Sequence, residues 1–333
     1  QIGDESLPIE SLIEDPVALA KAVEPPGASH PAIALPKDLF EPERTNSRGL
    51  DLTDEHTIAA LSEAVRVSAE QALQDTSCSG EAQDIRNPAR HPDRIGTVRF
   101  GNEADVRKAI DFAESEMSAW ATLSADERSA KLDRAADLLE QHQKDLIALL
   151  VREAGKSYAN ALSEVREAVD FLRYYAAQAQ DIARTGSSAP LGVVACISPW
   201  NFPLAIFLGQ VAAALAAGNT VVAKPAEETP FIALRAVALL REAGVPENAL
   251  RLVPGAGETG AALVADTRIS GVMFTGSTAV AGLIAKTLAD RTGVDGQPVP
   301  FIAETGGQNA MIVDSSALTE QVVADVLVSA FDS

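Results

Sequence analysis

The residue types that could support chemistry stand in short polar segments, each directly after an apolar run of β-strand character. The first segment is Ser198–Pro203, in which two prolines bracket Trp200, Asn201 and Phe202. A buried asparagine amide can donate hydrogen bonds to an oxyanion that develops during a reaction. A proline-containing turn that opens a helix explains the same residues, and the segment taken alone favours that structural interpretation.

A lysine and a glutamate follow the next apolar run, in the segment Lys224–Glu227. A lysine at a strand end beside a cofactor cleft can hold ribose hydroxyls or a phosphate, and a nearby glutamate can accept hydrogen bonds from ribose hydroxyls. A solvated charged loop explains these residues equally well when they are taken alone.

Two glycine-containing turns further along the chain could hold a phosphate. In Phe274–Thr278, Gly276 permits a sharp turn and Ser277 opens a helix, whose unpaired N–H groups and positive dipole end attract a pyrophosphate. The sequence of Gly255–Gly260 matches the G-x-G-x-x-G pattern more closely. A lone match of this kind is weak, so an ordinary turn between strand and helix is the preferred interpretation there.

An acidic residue, Glu304, ends the last of these apolar runs and is followed by two glycines in Glu304–Asn309. Burial would raise the pKa of its carboxyl and suit it to act as a general base on water. An acid that caps a turn is the more frequent role of such a residue.

Alternating strands and helices must position these segments. The apolar runs predict strands at 191–197, 219–223, 250–253, 272–275, 301–303 and 310–313, and helical periodicity predicts helices at 204–217, 229–243, 258–265 and 277–288. Nearly continuous apolar strands that alternate with helices indicate an α/β fold with a doubly wound, mostly parallel sheet. In such a sheet ligands bind at the carboxyl ends of the strands, where all five of these segments fall.

The residues before this region are organised differently. Proline-containing patches in residues 1–50 predict a linker. Residues 51–185 are predicted to form a helical region with a β segment at 86–100, and residues 186–333 a Rossmann-like domain. The predicted helices of the helical region are 51–74, with Thr53 as N-cap, 103–119, 124–153, with Ser124 as N-cap and Glu127 three residues on, and 159–183.

Composition excludes several classes of function. The formal net charge of -20 repels a phosphate backbone and so argues against nucleic-acid binding. No apolar run is long enough for a membrane span, and the N-terminal residues predict no signal peptide. The two cysteines, Cys78 and Cys196, form no disulfide framework, and the four scattered histidines read as surface residues, so no metal site is predicted. The start at Gln1 rather than Met indicates a piece of a longer chain.

In this order the polar segments resemble the aldehyde dehydrogenase superfamily, from about residue 84 to residue 333. The segments PWNF, KPAE, FTGS and ETGG carry the resemblance. The sequence resembles one branch of this superfamily more specifically, the Δ1-pyrroline-5-carboxylate dehydrogenase half of the bacterial bifunctional proline utilisation A enzymes. The segments that carry this closer resemblance are 151–156, 164–175, 197–219 and 301–333. Residues 1–50 resemble the linker that follows the proline dehydrogenase barrel in that branch, and this barrel would precede Gln1.

The resemblance implies roles for the matching residues. Asn201 would supply the side-chain part of an oxyanion hole, Glu304 would activate the deacylating water, and Phe202 would line the aldehyde pocket. The reaction would be the NAD-dependent oxidation of glutamate semialdehyde, the hydrolysed form of pyrroline-5-carboxylate, to glutamate in proline catabolism. FAD would belong only to the upstream barrel.

The resemblance also implies a cofactor site. Lys224 and Glu227 would bind the adenosine ribose of NAD, and Gly276 and Ser277 would hold the pyrophosphate. Glu227 would also repel the 2′-phosphate of NADP. The other residues predicted to bind the cofactor are Ile197, Ser198, Pro199, Trp200, Ala226, Gly257, Phe274, Thr305 and Gly306.

The family mechanism needs a cysteine thiolate, which the family places soon after the segment that ends here at Ser333. Cys196 lies in an apolar strand and Cys78 in a polar loop outside the matched region, so we expect neither to be catalytic. The chain is therefore expected to lack its catalytic domain.

The resemblance further implies a homo-oligomer, formed through the 86–100 segment, and a cytoplasmic location with docking on the bacterial inner membrane through the flavin half. Two alternatives stay open: a monofunctional aldehyde dehydrogenase for another semialdehyde, and a non-catalytic NAD-binding or assembly fragment. The linker-like residues 1–50 argue against the first alternative, and the presence of both Asn201 and Glu304 argues against the second.

Overall fold

The computed structural model describes residues 8–25, 28, 32–70, 72–186, 189–293 and 296–331. The chain forms two compact units, residues 1–46 and residues 47–333. In the first unit, helices α1 (Ile9–Leu12) and α2 (Pro16–Ala22) precede a 3₁₀ turn at Pro36–Asp38. The role of this stretch as a linker stays a prediction.

The first half of the second unit is mainly helical and carries a small sheet. Its helices are α3 (Glu55–Ser68), α4 (Glu103–Thr122), α5 (Ala125–Gln141), α6 (Gln143–Glu153) and α7 (Tyr158–Thr185). Its strands are β1 (Leu73–Asp75), β2 (Ala82–Arg86) and β3 (Arg94–Arg99). Strand β3 lies in the middle of this sheet, parallel to β1 and antiparallel to β2.

The second half confirms the predicted α/β fold with a parallel sheet. Its strands are β4 (Val193–Ile197), β5 (Thr220–Lys224), β6 (Leu250–Leu252), β7 (Ile269–Gly276) and β8 (Phe301–Thr305). Its helices are α8 (Ala205–Ala216), α9 (Pro230–Glu242), α10 (Gly257–Ala265), α11 (Thr278–Leu288) and α12 (Thr319–Phe331). All strand pairs are parallel, in the order β6-β5-β4-β7-β8.

The continuous apolar runs of the central strands follow from burial on both faces of this sheet. In β4, Val194 and Cys196 pack into one core cluster with residues of α5, α7, α8 and α9. Val193, Ala195 and Ile197 point the other way, into a second cluster with residues of α4, α10 and α11. Successive side chains of a strand point to opposite faces, so a strand between two helical layers has to be apolar throughout.

The helix predicted for 51–74 is wrong at both ends. Its N-cap is Asp54 rather than Thr53, because the two carboxylate oxygens of Asp54 accept from the N–H groups of His56 at 3.2 Å and Thr57 at 3.1 Å. The hydroxyl of Thr53 has a single oxygen to accept from backbone N–H groups, and it instead donates to Asp51. The helix ends at Ser68, and the predicted last residues form β1 because they pair with β3.

The predicted helix 124–153 is two helices, α5 and α6, separated at His142, whose backbone leaves the helical region. The capping box at its start is confirmed: the Ser124 hydroxyl accepts from the Glu127 N–H, and the Glu127 carboxylate accepts from the Ser124 N–H at 2.8 Å.

The strand predicted at 310–313 is wrong. These residues are exposed and form no strand, because no strand in the described part of the chain pairs with them. Helix α12, which follows, was not predicted. Within the described ranges, no helix combines the length and the apolar character needed to cross a bilayer.

Candidate active site

The strand order of the large sheet reverses between β4 and β7, since β5 and β6 continue from one side of β4 and β8 from the far side of β7. Ligands of open α/β sheets bind at such a reversal, outside the carboxyl ends of the strands. The loop after β4 contains Asn201, and the turn after β7 is Gly276–Ser277. Two adjoining cavities open at this place, and both have these two loops in their walls.

The first cavity, of about 550 Å³, lies between α10 and α11 and is called the cofactor cavity below. Most of the residues predicted to bind the cofactor line it: Ile197, Ser198, Pro199, Trp200, Lys224, Ala226, Glu227, Gly257, Phe274, Gly276 and Ser277. Thr305 and Gly306 do not line it and instead line the second cavity.

Lys224 is buried at the wall of the cofactor cavity, with 5% of its surface exposed. Its ammonium group donates to the Pro225 carbonyl at 3.0 Å and lies 3.5 Å from Oε2 of Glu227. Burial lowers the pKa of Lys224, and the Glu227 carboxylate opposes this shift. Gly260 of α10 lies beside the lysine stem, and an added Cβ there would make an ordinary van der Waals contact with Cδ of Lys224 at 3.4 Å.

The N-terminus of α11 forms another wall of the cofactor cavity. The Ser277 hydroxyl caps this helix by accepting from the Val280 N–H at 3.2 Å. Gly276 is required for packing, because an added Cβ would lie 2.6 Å from the Phe274 ring. The other backbone N–H groups of the first turn can donate to an anion, which the helix dipole also favours.

The cofactor cavity fits a dinucleotide. A buried cation and an adjacent carboxylate suit a ribose with its phosphate, and a helix N-terminus suits a pyrophosphate. The hydroxyl oxygen of Ser198 is buried at the cavity wall and has no hydrogen-bond partner among the described residues. Buried polar atoms are normally paired, so this hydroxyl also indicates a place for a ligand or water.

The second cavity, of about 1150 Å³, contains both predicted catalytic residues and is called the reaction cavity below. Asn201 and Glu304 both line it, although they are 103 positions apart by numbering. Both residues are exposed in the described structure. Glu304 is exposed because β8 is an edge strand of the sheet among the described residues, and residues 302–305 are all exposed there.

Sequence reasoning missed a polar residue of the reaction cavity, Gln210, which is buried in the otherwise apolar helix α8. Its amide nitrogen donates to the Ile197 carbonyl at 3.2 Å and to the Thr275 hydroxyl at 3.0 Å. One sequence signal could have revealed it, because Gln210 carries the only strong hydrogen-bonding side chain in the segment AIFLGQVAAALA.

Sequence reasoning also missed the support of the Asn201 loop. Oε1 of Glu164, in α7, accepts from the N–H groups of Leu204 at 2.7 Å and Ala205 at 3.3 Å, where the loop enters α8. The Lys156 ammonium lies 3.0 Å from Oε2 of Glu164 and 4.1 Å from the centroid of the Phe202 ring. Burial raises the pKa of Glu164, and Lys156 opposes this shift. Phe202 lies under this lysine and lines neither cavity, so its assignment to an aldehyde pocket stays a prediction.

The two cysteines are poorly suited to nucleophilic chemistry. Cys196 is 1% exposed within β4, as predicted, and burial raises its thiol pKa well above the ordinary range. Cys78 lies in a loop, as predicted, but is only 7% exposed, and burial raises its pKa to about 11. A thiol with a raised pKa is mostly protonated near neutral pH and therefore a weak nucleophile. Within the described ranges, no cluster of three potential metal ligands occurs.

A parallel sheet with a dinucleotide-sized cavity at its strand-order reversal, beside an amide and a carboxylate, defines a class of nucleotide-dependent enzyme folds. The aldehyde dehydrogenase family model matches residues 75–333. The chain therefore belongs to the aldehyde dehydrogenase family, as its motifs predicted, and the family implies use of NAD(P). The match begins before Cys78, so the expectation that this cysteine lies outside the family region is wrong.

Individual relatives are more specific. The chain is 53% identical to the bifunctional protein PutA of Klebsiella aerogenes over 344 residues, which covers 100% of this chain and 26% of the relative. It superposes on a crystal structure of Bradyrhizobium japonicum proline utilization A with a TM-score of 0.79 at 44% identity, over 98% of this chain and 32% of the other. Superposition on the 1-pyrroline-5-carboxylate dehydrogenase of Thermus thermophilus gives a TM-score of 0.81 at 31% identity, and it covers 88% of this chain and 61% of the other. The chain thus spans about a quarter of the length of its bifunctional relative.

Proposed function

We propose that this chain provides the cofactor site and two catalytic groups of an NAD-dependent L-glutamate γ-semialdehyde dehydrogenase that acts in proline catabolism. The observation that carries the proposal is that Asn201 and Glu304 meet in the cavity that adjoins the dinucleotide-sized cavity. Similarity over the whole of this chain to bifunctional relatives, of which it covers 26%, supports the substrate and an upstream proline dehydrogenase half, which would hold the FAD.

In the cofactor cavity, Lys224 donates to the adenosine ribose and Glu227 accepts from its hydroxyls. The turn at Gly276–Ser277 and the first N–H groups of α11 hold the pyrophosphate. When bound, NAD accepts the hydride that leaves the aldehyde carbon.

In the reaction cavity, the Asn201 amide donates to the oxygen of the aldehyde as negative charge develops on it. The exposed Glu304 carboxylate takes a proton from the water that cleaves the acyl–enzyme thioester. The burial of Cys78 and Cys196 argues against both as the attacking thiolate, so we assign the nucleophile to neither.

The test measures NADH formation with pyrroline-5-carboxylate, using the protein as its gene encodes it. We expect Asn201→Ala to lower kcat by about 10²- to 10³-fold, as for loss of one oxyanion donor. We expect Glu304→Gln to keep a rapid first burst of NADH and to slow the steady state, because only thioester hydrolysis needs the base. Faster turnover of another semialdehyde would favour the monofunctional alternative, and no turnover of any aldehyde would favour a non-catalytic role.

Coenzyme preference is assigned to Glu227, whose carboxylate lies at the cofactor cavity and would repel a 2′-phosphate. Glu227→Ala should therefore narrow the preference for NAD over NADP, measured as the ratio of their dissociation constants. An unchanged ratio in this variant would remove the argument.

We also propose that the small sheet mediates homo-oligomer formation in the cytoplasm. Strands β1 and β2 are its two edges in the described chain, and unpaired edges can add strands from a second copy. Light scattering should give a mass of at least twice that of the chain. A monomer at micromolar concentration would contradict this assignment.

A further inference from the structure

Gln210 occupies the point at which the strand order reverses. It is 7% exposed, and its amide nitrogen spans the carboxyl ends of β4 and β7 through the Ile197 carbonyl at 3.2 Å and the Thr275 hydroxyl at 3.0 Å. These are the two strands whose following loops form the walls of both cavities. The side chain is therefore held by two hydrogen bonds at the wall of the reaction cavity, below the strand-end loops that both cavities share.

The orientation of this amide follows from its partners. A carbonyl oxygen can only accept a hydrogen bond, so the atom of Gln210 that faces Ile197 has to be the nitrogen. The other atom, Oε1, is then the acceptor, and it is buried without a hydrogen-bond partner among the described residues. Leaving a buried carbonyl unpaired is unfavourable, and the residue lines the reaction cavity. A donor from a bound molecule would satisfy it.

The chemistry of that donor follows from the arrangement of the cavities. Gly276 and Ser277 line both cavities, so a dinucleotide with its adenosine at Lys224 would extend past them into the reaction cavity. Its reactive end has to reach Asn201 and Glu304. In a nicotinamide dinucleotide that end carries a primary carboxamide, which presents two N–H donors.

We propose that Oε1 of Gln210 accepts an N–H from the carboxamide of the nicotinamide ring and thereby positions the ring in the reaction cavity. This inference rests on the proposed function, because it requires that the chain bind a nicotinamide dinucleotide. It adds a cofactor-positioning residue on α8 to those on the strand-end loops.

The test compares three ligands by calorimetry, using the protein as its gene encodes it: NAD, 3-acetylpyridine adenine dinucleotide, and ADP-ribose. The acetyl analogue replaces the carboxamide NH₂ by CH₃, and ADP-ribose lacks the ring. We expect the wild-type protein to bind NAD about 3- to 10-fold more tightly than the acetyl analogue, which is the effect of one hydrogen bond. This comparison needs no variant, so it holds even where a substitution impairs folding.

The matched variant is Gln210→Met, which keeps the length of the side chain and removes its polar atoms. We expect the ratio of the two dissociation constants to fall to about 1, with the affinity for ADP-ribose unchanged, because an acceptor is lost only for the ring. A thermal melt verifies that the variant is folded.

Three results would overturn the inference, and they are distinguishable. Equal wild-type affinity for NAD and the acetyl analogue would exclude the carboxamide contact and leave the proposed function intact. An equal decrease in the affinity for all three ligands in Gln210→Met would show that Gln210 has a structural role only. Failure of the wild-type protein to bind any of the three would refute the proposed function itself.

Discussion

The N-termini of α8 and α9 have the same cap and different surroundings. Each helix follows a neighbouring strand of the large sheet, and each is capped by a buried glutamate from the helical half of the unit. Oε1 of Glu164 accepts from the N–H groups of Leu204 and Ala205 at the start of α8. The carboxylate of Glu153 accepts from two backbone N–H groups at the start of α9, both at 2.8 Å.

The difference between the two caps lies in charge. Glu164 has the Lys156 ammonium at 3.0 Å, and this ammonium also lies over the Phe202 ring in the loop that bears Asn201. Among the described residues, no lysine or arginine forms an ion pair with Glu153. The comparison indicates that the cap of α9 fastens two layers together, whereas the cap of α8 also positions a loop of the candidate active site.

The largest expected effect is that of Lys156→Met, which leaves the buried Glu164 carboxylate without its counter-charge. Removing one partner of a buried ion pair costs about 3–5 kcal/mol. Urea unfolding should show a decrease of this size in the free energy of unfolding. Adding Glu164→Gln should recover part of the loss, and a decrease of less than about 1 kcal/mol in Lys156→Met would show that the pair matters little.

A smaller loss is expected for Glu153→Gln, because the amide has only one acceptor oxygen and leaves one backbone N–H of α9 unpaired. The expected cost is about 1–3 kcal/mol. Glu164→Gln is the matched change at the other cap. If the comparison holds, Glu164→Gln lowers kcat in the assay for NADH and Glu153→Gln does not. Equal effects on kcat would remove the functional distinction between the caps.

A smaller difference is expected in the pH dependence of stability. Burial raises the pKa of Glu153 to about 8 from an ordinary value of 4.5, against the opposing effects of its two backbone N–H partners and of the Arg152 charge. Between these values the unfolded chain loses this proton and the folded chain keeps it. The contribution to stability is therefore complete below pH 4.5 and declines as the pH rises to about 8. The free energy of unfolding of Glu153→Gln, measured across this window, should decline less than that of the wild type.

The smallest expected effect is that of Phe202→Leu, which removes the ring face from the Lys156 ammonium, 4.1 Å from the ring centroid. A cation–π contact of a desolvated ammonium is worth about 0.5–2 kcal/mol. Phe202→Tyr keeps the ring face and serves as the control in the same unfolding experiment. An equal decrease in the free energy of unfolding in both variants would indicate that packing, and not the cation–π contact, holds the loop.

Local patterns were sufficient to predict much of the fold. The strand predicted at 250–253 is Leu250–Leu252, and the helix predicted at 204–217 is Ala205–Ala216. Apolar runs and helical periodicity encode these elements within a few neighbouring residues. The strand predicted at 310–313 failed because an apolar run forms a strand only where another strand can pair with it.

The residues of the candidate site also fall into two groups, those that local sequence predicts and those that it does not. Lys224, Glu227 and Ser277 could be predicted because each lies at or shortly after the carboxyl end of a strand, where the chain order already indicates a ligand site. Gln210 and Glu164 could not, because their partners are remote in sequence: Gln210 reaches Thr275 and Glu164 reaches Leu204. The exposure of Glu304 was also unpredictable from its neighbours, since exposure depends on what packs over β8.

The sequence by itself determined the family, the parallel α/β sheet and the polar residues at its strand ends. These depend on residue type and short-range spacing, which the chain carries locally. Only the tertiary structure decided which strands lie side by side, and hence that Asn201 and Glu304 share one cavity while Gln210 bridges β4 and β7. The physical reason is that burial, ion pairing and hydrogen bonding between distant segments exist only after the layers have packed together.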